Sequence, residues 1–235
     1  MTASRTARER VRAELTREIV EIARRQLATE GAGGLSLRAV AREMGMVSSA
    51  IYRYFPSRDD LLTTLIIDGY NALGEAVERA DAAVPADDFP GRWAAVCHAV
   101  RDWALAHPHE YALLYGSPVP GYQAPQDTIG PRVRDLTVFG GILSAAQRAG
   151  ALAPPTGPVE VDPALADEAE ASLAALMPDV PGDALLRALS AWTSLYGWVS
   201  FEVFGQFKGA FADLRPAFDH SVKALGTMIG LTPSG

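Results

Sequence analysis

Ser48, Ser49, Ala50, Tyr52, Arg53 and Tyr54 stand close together in the chain, and their side chains suit contact with a nucleic-acid duplex. Tyr52, Arg53 and Tyr54 can donate to phosphate oxygens, which fixes register on a duplex. Arg53 can instead reach a guanine edge with two hydrogen bonds, and the methyl group of Ala50 suits that of thymine. The small residues Ser48, Ser49 and Ala50 would let a helix approach base edges closely.

The flanking residues predict two short helices joined by a tight turn. Leu37, Val40, Ala41 and Met44 fall at the i, i+3, i+4, i+7 spacing of one apolar helical stripe. Ser36 precedes the stripe and can cap it, while Arg38 and Arg42 face the opposite, solvent side. Gly45 follows the last periodic residue, where a left-handed conformation costs glycine least. A second helix is expected from Ser48 to Tyr54, because Pro56 disfavours helical geometry at the residue before it. Ile51 and Phe55 would pack it back on the first helix, leaving Ser48, Ser49, Ala50, Tyr52, Arg53 and Tyr54 outward. Ser36, Arg38 and Arg58 complete the candidate DNA-contact set.

From Ile19 to Leu65 the chain resembles the DNA-binding domain of the TetR family of bacterial transcriptional regulators. The matching residues are Ile22-Ala23, Leu27, Gly31, Leu35-Ser36-Leu37-Arg38, Val40-Ala41, Gly45, Ile51-Tyr52, Tyr54-Phe55, Ser57-Arg58-Asp59 and Leu61-Leu62. At one position the chain departs from the pattern. The family usually places serine two residues after the turn glycine, at the helix cap, and here Val47 stands there. Ser48 would then take over as cap, with the helix start shifted by one.

Charge divides along the chain in the same way. Residues 1–60 hold eleven arginines against eight acids, whereas the remainder holds ten basic and twenty acidic residues, within a net charge of −7. A basic interaction module on an acidic body is the expected arrangement. The expected domains are 1–58, a helix-turn-helix domain with a mobile basic arm over residues 1–10, and 59–235, a helical effector-binding and dimerisation domain. No apolar run approaches the ~20 residues that cross a bilayer, and no apolar signal segment follows the polar N-terminus. Cys97 is the only cysteine, which excludes an intrachain disulfide and suits a reducing compartment. A cytoplasmic protein without membrane contact is expected.

The chain reads as all-α, with about nine or ten helices and no convincing strand. The first helix is expected over Val11–Thr29 and the fourth to run from the Asp59-Asp60 pair to Ala83. Later helices are expected over Arg92–Ala106, His109–Tyr115, Pro131–Ala149, Asp183–Gln206 and Leu214–Gly230, with loops at Gly116–Gly130 and Gly150–Pro163. Trp103, Tyr111, Tyr115, Phe139, Trp192 and Tyr196 offer apolar bodies, several with polar tips, which suit a small-molecule pocket or a helical core. The family resemblance implies such a pocket for an apolar or aromatic effector. His107-Pro108-His109 lacks the convergent ligands that zinc wants, so a helix break with a capping histidine is expected, and no metal or cofactor. No phosphate loop, nucleophile elbow or HExxH run is present, and an enzyme is not expected.

Leu185, Leu189, Trp192, Tyr196, Val199 and Val203 form one stripe, and Phe218, Val222, Leu225 and Ile229 another. These stripes could line a dimer interface or the subunit's own core. The resemblance implies pairing through these last two long helices, and a two-fold dimer would double the few base contacts of one short helix. The expected function is that of a homodimeric, sequence-specific repressor released from operator DNA by a small effector. The alternative is a helix-turn-helix regulator without an effector, controlled by a protein partner.

Overall fold

The computed structural model describes residues 2–154 and 161–232, with side chains from residue 6 onward. Residues 155–160, inside the loop expected after Gly150, lie outside the described residues. Among the described residues there are eleven α-helices and no strand. They form two compact units, each built from separate stretches of chain: residues 1–71 with 107–132, and 72–106 with 133–235.

The first unit begins with α1 (Thr2–Gly34), whose helical conformation breaks at Gly31, at φ 68° and ψ 177°. The segment expected as a mobile arm is thus helical from Thr2. Its alanines, arginines and glutamates are strong helix formers, and propensity rather than apolar periodicity extends the helix. Then come α2 (Leu37–Glu43), α3 (Ser48–Ile51) and the first part of α4 (Arg58–Ala82). Residues from further along the chain complete the unit: α6 (Pro108–Tyr115), a 3-10 turn at Gln126–Thr128 and α7 (Ile129–Arg132).

Ile19, Ile22, Ala23, Val40, Ile51, Leu61 and Leu62 form the buried centre of this unit, and Leu113, Leu114, Tyr115, Val119 and Tyr122 pack on it. A hydrogen bond of 2.9 Å joins Thr63 Oγ1 to the Tyr122 hydroxyl. Arg24 of α1 reaches Asp68 of α4 at 3.0 Å and Glu110 of α6 at 3.3 Å, besides pairing with Glu21. Burial nevertheless raises the Asp68 carboxyl above its ordinary range, outweighing the attraction of Arg24.

The second unit holds the end of α4, α5 (Phe89–Ala106), α8 (Arg134–Arg148), α9 (Pro163–Leu173), α10 (Gly182–Val203) and α11 (Arg215–Met228). Its core gathers Trp93, Val96, Val100, Phe139, Ile142, Leu195, Val199, Phe218 and Val222, all buried. The Trp93 indole donates to the Val222 carbonyl at 2.9 Å, satisfying its one polar atom within the core. Arg92 holds Asp81 through two hydrogen bonds of 2.8 and 2.9 Å, and Arg134 holds Glu78 through two of 2.9 and 2.7 Å. Hydrogen bonding from Arg134 lowers the Glu78 carboxyl below its usual value. Arg101 and Glu202, both almost fully buried, form a further two-pronged ion pair, with the guanidinium lying over the Phe218 ring.

One expectation for this unit changes. Leu185, Tyr196, Val199, Phe218, Val222 and Ile229, expected along the dimer stripes, are buried inside the unit itself. Of the expected α10 stripe Leu189 is exposed, and the exposed face continues from it through Thr193, Gly197 and Phe201 at four-residue spacing. After the expected loop, Pro163–Leu173 folds as α9, with the Asp162 side chain accepting from the Ala164 amide at 2.9 Å as a cap.

Candidate nucleic-acid interface

The turn between α2 and α3 is built by glycine. Gly45 sits at φ 67°, its amide donates to Arg42 O at 3.1 Å and the Met46 amide to Ala41 O at 2.8 Å. Those paired bonds close the helix in a Schellman arrangement that needs the left-handed conformation at Gly45. At the other end of α2, Ser36 caps by accepting from the Ala39 amide at 3.4 Å. Its own amide donates to Gln26 Oε1 at 3.3 Å.

The second helix is shorter than expected. Helix α3 covers Ser48–Ile51, and Tyr52–Tyr54 continue as hydrogen-bonded turns, the Arg53 amide donating to Ala50 O at 3.2 Å and the Tyr54 amide to Ile51 O at 2.9 Å. Val47 occupies the cap position in extended conformation and makes no side-chain cap bond. Ser48 is the first helical residue, so it does not take over as cap. Without a cap, a one-turn helix is held by tertiary packing, which Ile51 and Phe55 supply by burial against the unit's core.

That packing sorts the candidate contact residues. Ser48, Ser49, Tyr52 and Arg53 are exposed, as are Arg38 and Arg42 of α2. Ala50, expected outward, is buried beside Ile51 because both of these residues lie on the packed side of the single turn. Ser36 and Tyr54 are half-buried. Arg58 serves the loop before α2: it donates to Leu35 O at 3.1 Å and Ala32 O at 2.6 Å, locking α4 to the end of α1.

Sequence reasoning missed Arg12. Its guanidinium donates to Arg53 O at 2.9 Å and lies 5.4 Å from the centroid of the Tyr54 ring, joining α1 to the end of the α3 segment. The i, i+4 spacing of Arg8 and Arg12 was the available signal.

The six aromatic candidates for an effector site divide between the units. Tyr111 and Tyr115 belong to the first, with ring centroids 5.0 Å apart, and Tyr115 meets Tyr70 edge-on at 6.1 Å. Trp103, Phe139, Trp192 and Tyr196 belong to the second. There Trp93, Phe139, Trp192 and Tyr196 form a continuous aromatic row, with successive centroid separations of 5.1, 5.8 and 4.8 Å. The Tyr196 hydroxyl donates to the buried carboxylate of Asp135, which also accepts from the Leu136 amide at 2.9 Å. His107 stands at the cap position of α6 without a side-chain cap bond. Among the described residues no group of three or more histidine, cysteine, aspartate or glutamate side chains is placed to hold a metal ion.

Comparison with known proteins agrees with this architecture. Residues 19–65 match the family model described as bacterial regulatory proteins, tetR family, and residues 93–225 match the tetracyclin repressor-like C-terminal domain. The chain is 43% identical over 209 residues to the HTH-type transcriptional regulator Rv1816 of Mycobacterium tuberculosis, covering 86% of this chain and 85% of the relative. Among solved structures, regulatory protein SCO4313 superposes with a TM-score of 0.76 at 36% identity, covering 92% of this chain and 97% of that one. A tetR-family regulatory protein from Rhodococcus RHA1 shares the fold alone, with a TM-score of 0.61 at 16% identity over 93% of this chain and 98% of its own. The exposed side chains around a Gly45-hinged helix pair therefore belong to a DNA-binding helix-turn-helix, and the chain belongs to the TetR family of transcriptional regulators.

Proposed function

We propose that the protein is a homodimeric repressor that reads operator DNA with α3 and is released by a small apolar or aromatic effector. The observation that carries the DNA contact is the set of exposed side chains Ser48, Ser49, Tyr52 and Arg53 on an anchored helix end. Arg38 and Arg42 flank it, and among the described residues neither guanidinium is matched by a carboxylate. Phosphate contacts from these groups set register, and Tyr52 or Arg53 reads base edges. Ser36 and Arg58 support the same face by fixing α2 and the loop before it.

Dimerisation is assigned to the last two long helices. On α10, Leu189 and Phe201 are exposed around the small residues Thr193 and Gly197, and Phe204 and Met228 add exposed apolar surface. Exposed apolar side chains on a continuous helical face mark an association surface. A two-fold pair would present two reading helices to half-sites about one DNA turn apart.

The aromatic row ending at Tyr196 and Asp135 supports effector binding, with Phe139, Trp192 and Tyr196 as the lining and Trp103, Tyr111 and Tyr115 as further candidates. An effector shifts operator affinity only by its differential affinity for the two states. A second reading, a regulator without an effector that answers to a protein partner, is favoured by one observation: Tyr111 and Phe139 are fully buried, as core residues are.

Duplexes selected from a random pool by the protein provide the test. A specific complex with a steep negative salt slope is expected, and weakened binding on Tyr52→Ala or Arg53→Ala. Equal affinity for selected and scrambled duplexes would remove sequence reading from α3. A thermal-shift screen separates the two regulatory readings, since stabilisation by a small aromatic compound requires a site for it.

A further inference from the structure

Several basic residues of the first unit are already held by the protein itself. Arg24 pairs with Glu21, Asp68 and Glu110, Arg25 pairs with Glu43 at 2.8 Å, and Arg58 is held by carbonyls. Arg8, Arg12 and Arg53 have no carboxylate partner among the described residues, yet all three line a single open groove. Ala7, Val11 and Tyr54 are its other walls. Arg8 and Arg12 are one helical turn apart, so their side chains lie on one face of α1. Arg53 comes from the end of the α3 segment, 41 positions further along the chain than Arg12, which reaches it.

Three guanidinium-bearing residues around one groove repel one another unless an anion lies among them. The Arg12–Arg53 carbonyl bond uses one arm of the Arg12 fork and leaves the others free for an acceptor. The groove is shallow and mostly apolar between its guanidinium groups, with Val11 56% exposed, which matches a sugar–phosphate strand better than a compact ion. We propose that this groove seats one phosphate of the DNA backbone, making the N-terminal turns of α1 a second DNA-contact element beside α3. Arg8 and the Arg53 side chain contact the phosphate, Val11 and Ala7 face the sugar, and Arg12 acts as a positioning residue. By gripping the Arg53 carbonyl and the Tyr54 ring, Arg12 fixes the end of a reading helix that has no side-chain cap of its own. The assignment rests on the DNA-reading role given to α3.

Affinity of the full chain is measured for a duplex selected by the wild-type protein and for a scrambled duplex, across a salt series. For Arg8→Ala, affinity for both duplexes is expected to fall about three- to tenfold, and the salt slope to flatten by about 1 per subunit. Ala7→Glu, which brings a carboxylate into the groove at an exposed helical site, is expected to cost at least as much on both duplexes. Arg12→Lys keeps the charge but loses the planar fork that holds the Arg53 carbonyl while lying over the Tyr54 ring, so preference for the selected duplex should shrink while the slope holds. Unchanged affinity and slope for both Arg8→Ala and Ala7→Glu would overturn the groove while leaving α3 intact. A loss confined to the selected duplex would place Arg8 on bases and overturn the phosphate assignment. A wild-type protein that selects no duplex would overturn both this assignment and the reading of α3.

Discussion

Val47→Ser should stabilise the protein, and the size of the gain follows from the cap geometry. Val47 has the extended conformation a cap residue needs, at φ −65° and ψ 137°, yet offers no side-chain acceptor to the first turn of α3. The Ala50 amide already donates to the Val47 carbonyl at 2.8 Å, so an introduced hydroxyl would serve the Ser49 amide or share the Ala50 one. A serine cap in place of an apolar residue is worth about 1 kcal/mol. Val47 is 71% exposed, so truncating it removes little packing, and Val47→Ala measures that loss separately. The difference between the two variants should be about 1 kcal/mol in chemical denaturation, or about 2–4 °C in Tm for a chain of this size. Amide exchange at Ser49 and Ala50 should slow about fivefold if α3 opens independently of the rest. If Val47→Ser proves no more stable than Val47→Ala, the helix start is misplaced and the packing account of α3 falls with it.

Other perturbations probe different supports. Gly45→Ala forces a side chain into φ 67° and should cost about 1–2 kcal/mol, read by urea denaturation; a neutral result would mean the turn can relax. Glu202→Ala strands the Arg101 guanidinium in a site where both side chains are 8% exposed, and a loss of about 3–5 kcal/mol is expected, with Glu202→Gln milder. His98, half-buried between Phe218 and Asp219, has its imidazole lowered below 6.5, burial outweighing the Asp219 charge. The unfolded chain therefore binds the proton more readily, and stability should fall as pH drops from 6.5 through the lowered folded value. Denaturation midpoints at about pH 7.5 and about pH 5.5 should converge in His98→Gln, and an equally steep decline in that variant would assign the dependence elsewhere.

Much of the helix-turn-helix is legible in sequence because its determinants are local. The Leu37–Val40–Ala41 stripe, the Ser36 cap and the Gly45 turn each act within a few residues, and the structure realises all three. The length of α3 was less legible, since Tyr52–Tyr54 continue as turns whose conformation depends on Arg12 and on Phe55 burial rather than on their own propensity. Ala50 faced the wrong way in the periodic reading because a single turn has no average face. Arg58 looked like a DNA contact by type, but its partners are carbonyls of the loop before α2, which only the tertiary fold brings near. The C-terminal stripes were visible but ambiguous: periodicity marks an apolar face without saying whether the same subunit or another covers it. The assignment of residues 107–132 to the first unit had no local signature, because it depends on Leu113, Leu114 and Tyr122 meeting α1 and α4.

That interleaving sets the order in which the chain can fold as it is made. The core around Leu61 and Leu62 takes its last layer from Leu113 to Tyr122, so the reading helices cannot gain their full support when residue 71 leaves the ribosome. About sixty more residues, to the end of α7, must emerge first, which at about 5–20 residues per second amounts to roughly three to twelve seconds. During that interval an apolar surface meant for α6 stands open to other chains. A clone ending after α4 would freeze that interval permanently, so a soluble, stable head should require residues 107–132 supplied in the same polypeptide.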